Sequence, residues 1–185
     1  MTNTGTIHLR DEMRLNVASL LMEDVGSRRD VTIDLVNFPL DGELAATDTT
    51  ADVRLTRIRS GLLAQGKVSG TVELECARCL TLYGQPFTTD FAEEFYQTVD
   101  VRNGDGVTAA RQRREMQDDD DDISFEINDS HEIDMTELLR QWILLEMPMR
   151  PDCGDICPGP PEVPKDPDAD VDSRFAALQH LLEDE

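Results

Sequence analysis

Lys67-Val68-Ser69-Gly70-Thr71-Val72-Glu73-Leu74-Glu75-Cys76-Ala77-Arg78-Cys79 reads as a strand that runs into a pair of thiols. Val68, Val72, Leu74 and Cys76 fall on one face, and Lys67, Ser69, Thr71, Glu73 and Glu75 fall on the other. That two-residue period belongs to a half-buried strand. Cys76 therefore ends the apolar face, and Cys79 lies in the turn that follows. Phe87, Thr89 and Phe91 repeat the period, so a strand over about 81–95 pairs back as a hairpin. A knuckle between two paired strands is a rigid place to hold thiolates.

Cys76 and Cys79 have only two partners in the chain, Cys153 and Cys157. A Cys-x-x-Cys turn lets two thiolates reach one tetrahedral ion, and a second pair completes four-sulfur ligation. The second pair, with Gly154, Asp155 and Ile156 between its thiols and Pro158 after it, keeps a ligand-like spacing. Arg78, between the first two thiols, favours thiolate over thiol. Structural zinc held by Cys76, Cys79, Cys153 and Cys157 is the leading reading. Three others stay open: reduced, partly buried thiols without a metal, a disulfide pair, and a thioredoxin-like redox motif. No oxidising compartment is indicated, and the redox motif wants Cys-x-x-Cys opening a helix, whereas Cys76 ends a strand.

Working outward, Asn16 to Gly26 suggests a short helix with Val17, Leu20 and Leu21 inward and Gly26 as its stop. Val31 to Val36 alternates and is β-branched, a strand. Asp52 to Ser60 is another, with imperfect alternation that hints at a bulge, and 61–66 carries a further strand or a turn. Residues 98–122 break the pattern: Gly104, Gly106, the Arg111–Arg114 cluster and the run Asp118 to Asp122 leave little to bury, so a flexible acidic loop is expected. Ile123, Phe125 and Ile127 then close the sheet. A helix follows at about 134–146, capped by Asp134, with Glu137 at its third position and an Ile133–Leu138 staple. Leu138, Leu139, Trp142, Ile143 and Leu145 give it an apolar face, and Pro148 ends it near Glu146. It delivers Cys153 and Cys157 to the knuckle.

The expected fold class is α+β: an antiparallel β-sheet or partly open barrel with a short N-terminal helix, the capped helix and a C-terminal helix. Residues 1–150 form the body, with the acidic loop, and 151–185 a cysteine-bearing tail. In that tail 158–171 is a Pro/Asp linker, and Asp172-Ser173-Arg174 opens a short helix with Phe175, Leu178, Leu181 and Leu182 on one side. Alone, such a helix is marginal, so it must dock on the body or on a partner.

With 185 residues, the chain makes one domain with tails or two small ones. Its 39 Asp plus Glu against 17 Lys plus Arg leave a formal net charge of -22. Such a surface repels phosphate backbones and attracts basic partners, although solubility alone also accounts for it. Direct RNA contact would need a local patch, such as Arg54, Arg57 and Arg59 on one ribbon with Arg78 nearby. The start, Met1 to Arg10, lacks an apolar signal region, and the run Trp142 to Leu145 is too short to span a bilayer. A cytoplasmic protein with reduced thiols, no membrane partner and no small-molecule substrate follows. No catalytic constellation is legible: His8, His131 and His180 are scattered, and His131 beside Glu132 reads as a surface turn residue before a ligand.

Four blocks in order resemble the YceD-like family, named for large-subunit ribosomal RNA accumulation. They are Asn16-Val17-Ala18-Ser19-Leu20-Leu21 running into Val25-Gly26-Ser27-Arg28-Arg29; Gly66 to Leu80 followed by Glu93-Glu94-Phe95; Glu132-Ile133-Asp134 through Leu144-Leu145-Glu146-Met147-Pro148, leading to Cys153 and Cys157-Pro158; and Asp172-Ser173-Arg174-Phe175-Ala176-Ala177-Leu178. In one respect the chain departs from the fuller pattern, which carries another cysteine where Pro160 stands. The resemblance implies a non-enzymatic role in ribosome biogenesis through ribosomal proteins or precursor large subunits, with ribosomal RNA touched indirectly or locally. The competing class is a metal-dependent, nuclease-like enzyme acting on ribosomal RNA.

Overall fold

A computed structural model of the chain describes residues 7–10, 13–102, 104, 106 and 125–160. Its centre is two long hairpins. Strand β3 (Arg28–Asp41) pairs antiparallel with β4 (Leu44–Arg57), β4 with β5 (Gly61–Glu75), and β5 with β6 (Leu82–Gln97). Short strands β1 (Ile7–Arg10) and β7 (Phe125–Ile127) add parallel to β3 and β6. The result is a mostly β protein with a mixed, curled sheet in the order β1-β3-β4-β5-β6-β7. The expectation of an antiparallel sheet holds for its four central strands and fails at its two edges. There, the four-residue β1 and three-residue β7 each run in the same direction as the neighbour they pair with.

Alternation decides which side is core. Val31, Ile33, Leu35, Val53, Leu55, Leu62, Ala64, Val68, Phe91 and Phe95 all face inward and are buried. Two inward positions on β5 are glycines, and each is opposed by a ring on β6: Gly66 pairs with Phe91 and Gly70 with Phe87. A methyl group on Gly66 would sit 2.1 Å from the Asp52 carbonyl oxygen and 2.9 Å from the Phe91 ring, so close strand packing leaves room only for hydrogen. The outward face is a polar ladder in which the Thr32 hydroxyl donates to Asp52 (2.7 Å), Thr50 to Asp34 (3.0 Å), and Arg54 to Asp30 (2.7 Å).

The bulge is present, but not within Asp52 to Ser60. Register slips between Thr47 and Thr50, where Asp48 takes a left-handed φ of 50°. The broken alternation near Ile58 instead marks the end of β4 at Arg57, where the Ile58 N–H closes a turn on the Gly61 carbonyl.

Helix α1 (Ala18–Met22) buries Leu20 and Leu21 with Val17 just before it. It stops four residues short of Gly26, which lies in the turn into β3. The pair β2 (Arg14–Asn16) and β8 (Glu132–Asp134) leads into helix α2 (Thr136–Glu146). Leu138, Leu139 and Ile143 are buried and Trp142 packs partly against them, whereas Leu145 is exposed. Asp134, the expected cap, lies at the end of β8, one residue before the cap position that Met135 takes. Its carboxylate still accepts the Thr136 N–H at 2.9 Å. Glu137 does not reach back; it holds Arg140 and Gln141, and Arg140 also reaches the Leu40 carbonyl on β3. Among the described residues no helix is long and apolar enough to cross a membrane. The Asp118–Asp122 run, Ile123 and the segment from Asp172, expected as a helix, lie outside them.

Candidate metal centre

The β5–β6 hairpin keeps one register from Gly61 opposite Tyr96 to Glu75 opposite Leu82. Beyond it the Cys76 N–H donates to the Thr81 carbonyl at 3.0 Å, and the Leu80 N–H returns to the Cys76 carbonyl at 2.9 Å. Leu80 makes the reversal at a φ of 59°. The second knuckle follows the end of α2. Asp152 accepts the Gly154 N–H at 2.8 Å, Gly154 turns at a φ of 82°, and the Cys157 N–H closes on the Gly154 carbonyl at 3.1 Å. Two contacts fasten the knuckles together: the Ala77 N–H to the Pro151 carbonyl at 2.9 Å, and Arg78 to Asp152 at 3.5 Å.

This brings all four expected residues together. The sulfurs of Cys76, Cys79, Cys153 and Cys157 lie within 4.8 Å of one another. Cys76 and Cys157 are 4.0 Å apart, and Cys79 and Cys153 3.7 Å. Zinc–sulfur bonds of about 2.3 Å arranged tetrahedrally set sulfurs about 3.8 Å apart. A disulfide needs about 2.05 Å, and all four cysteines are free. The donor set and its spacing fit a tetrahedral thiophilic cation.

The surroundings of Cys76, Cys79 and Cys153 act on their thiols in opposite directions. N–H groups of Cys79, Cys153 and Arg78 aimed at Cys76 draw its thiol down to about 6. The Thr81 hydroxyl, 3.1 Å from Cys79, and the Thr81 backbone lower that thiol as well. Cys153 is pushed up to about 12, first by burial and then by the sulfurs around it. Both hairpin thiols are thus drawn toward the thiolate, while Cys153 resists adding another negative charge. A bound divalent cation reverses that penalty, because it is the largest charge in such a site.

A family model described as the large ribosomal RNA subunit accumulation protein YceD matches residues 64–182. The chain belongs to the YceD family. The match begins inside β5 and takes in both knuckles of this YceD-family chain. Compared with curated proteins and with solved structures, the chain matches none.

The arginine patch does not assemble as the sequence suggests. Arg54 is paired with Asp30. Arg57 is half-buried and spends its guanidinium on the carbonyls of Leu21, Ile58 and Gly61 and on the Gln97 side chain. Arg78 bridges the knuckles. His131 is a turn residue: its backbone accepts the Val17 N–H, its φ is 60°, and its Nδ1 is buried without a partner. It is not among the residues gathered at the cysteines. His180 lies outside the described residues, and only the backbone of His8, on β1, is described. Sequence reasoning missed the supporting groups Thr81, Pro151 and Asp152. Asp152 had a readable signal, since Asp two residues before a glycine is a turn that caps its own backbone.

Proposed function

We propose that this YceD-family protein is a non-catalytic factor that supports accumulation of large-subunit ribosomal RNA in the cytoplasm. It acts by binding a ribosomal protein or a precursor large subunit, and RNA is reached through that protein. Zinc held by Cys76, Cys79, Cys153 and Cys157 staples a tail, 151–185, to the body, 1–150. The observation that carries the reading is the closed sulfur cluster in a family named for ribosomal RNA accumulation. A site closed by four protein ligands is structural, whereas catalytic zinc keeps a position open for water or substrate. The engaged arginines and the -22 charge favour a basic protein over bare RNA as the direct partner.

The test is affinity capture from growing cells followed by mass spectrometry, paired with sucrose-gradient profiles of a deletion strain. We expect ribosomal proteins or precursor large subunits in the capture and a deficit of large subunits in the deletion. Normal large-subunit levels with no ribosomal protein captured contradict the proposal. Cleavage of precursor ribosomal RNA by purified protein with Mg²⁺ or Zn²⁺ would replace it with an enzyme.

A further inference from the structure

One end of the molecule gathers apolar surface. Among the described residues nine large hydrophobic side chains are exposed, and five of them lie on the knuckles or the helix end beside them: Leu80, Leu82, Leu145, Met149 and Ile156. Leu145, Met149 and Ile156 are 77%, 106% and 88% exposed. A single exposed leucine means little, but a cluster of this kind marks a docking surface. The Ala77–Pro151 and Arg78–Asp152 contacts join the two knuckles, so these side chains lie at one end.

We propose that this surface is the docking site of the chain's own segment 172–182. The described chain leaves at Pro160, three residues after Cys157, so the segment is tethered at the edge of the patch. Residues 161–171 reach at most about 40 Å when extended. A short tether of this kind sets an effective concentration on the order of millimolar. Phe175, Leu178, Leu181 and Leu182 repeat at helical spacing, and an isolated helix of that length needs a surface to form on. The family match runs to 182, through the last leucine of the stripe. The proposal does not depend on the ribosomal reading.

The test uses the full chain with p-benzoylphenylalanine in place of Ile156, irradiated at dilute concentration and mapped by peptide mass spectrometry. We expect intrachain cross-links to 172–182. They should fall at least tenfold in a Phe175→Asp/Leu178→Asp double variant whose metal content and melting curve are unchanged. Cross-links between two chains assign the patch to a second copy, and absence of intrachain cross-links, with or without capture of another protein in lysate, leaves it to a partner. Either result overturns the proposal.

Discussion

The hairpin sheet and the cysteine knuckles meet where β5 ends beside Cys76, yet these two ends of the molecule are held by different forces. Along β3–β6, inward residues from Val31 to Phe95 are buried against α1 and α2 in one continuous apolar cluster. Burial of that kind is non-directional and cumulative, at roughly 25 cal/mol per Å² of apolar surface. Past Leu74 the apolar supply ends. Of the two knuckles only Cys76 is fully buried, and large side chains such as Leu80 and Ile156 face solvent. A few backbone hydrogen bonds and one surface ion pair remain, and an exposed pair adds little. The sheet can stand on its core, whereas the knuckle end has few such contacts, and in the function proposed above a metal on the four thiolates supplies the rest.

The largest effect should come from the core. Phe95→Ala removes a fully buried ring and should cost about 3–5 kcal/mol, read as a fall in the denaturation midpoint at constant slope. A next, smaller loss comes from overfilling. Gly66→Ala puts a methyl against the Asp52 carbonyl, where overpacking costs about 1–3 kcal/mol. Gly84→Ala, whose added carbon would meet only the Thr71 methyl at 3.1 Å, should cost less. If the two glycine variants melt alike, the close approach of β4 to β5 is not a constraint.

Variants of the knuckles should act locally. Cys76→Ser and Cys153→Ser should each abolish stoichiometric metal binding, and the double variant should be little worse than either, because the four sulfurs act as one unit. Hydrogen exchange should rise at 76–81 and 150–157 while β3–β6 amides keep their protection. Equal loss of protection in both regions would erase the contrast between them.

The smallest effect concerns acid. Burial pushes the Asp134 carboxyl up, but the Thr136 N–H and hydroxyl and the Arg14 guanidinium outweigh it and hold the group below its usual value. A depressed carboxylate adds stability above its unfolded pKa, and that stability is lost as pH falls through the folded value. Asp134→Asn should therefore flatten the acid limb of the stability curve and change little at neutral pH. An unchanged acid limb would show that Asp134 does not hold Thr136 and Arg14 in solution.

What was legible in the sequence followed from periodicity. The β5–β6 hairpin, the inward residues of α1 and the end of α2 before Pro148 were all readable because local chemistry and tertiary burial agree there. Edge strand β7 was readable from the alternation of Phe125 and Ile127, but its parallel sense and the whole of β1 were not, since three or four residues carry too little pattern to show a parallel partner. The Thr47–Thr50 slip was misplaced because it depends on a left-handed Asp48, a conformation that propensity does not favour. Leu145 looked inward because the apolar stripe of α2 is wider than the core that covers it. The four cysteines were readable as a set, but Arg54, Arg57 and Arg78 were not a patch, since ion pairs and carbonyl contacts made by folding consume them.

Metal content bears most directly on the contrast between the two ends. Protein purified without added metal or chelator should contain one zinc per chain by inductively coupled plasma mass spectrometry, with its thiols shielded from a titrating reagent until a chelator is added. Four freely reactive thiols and no bound metal, in a chain whose knuckle amides are still protected, would contradict it.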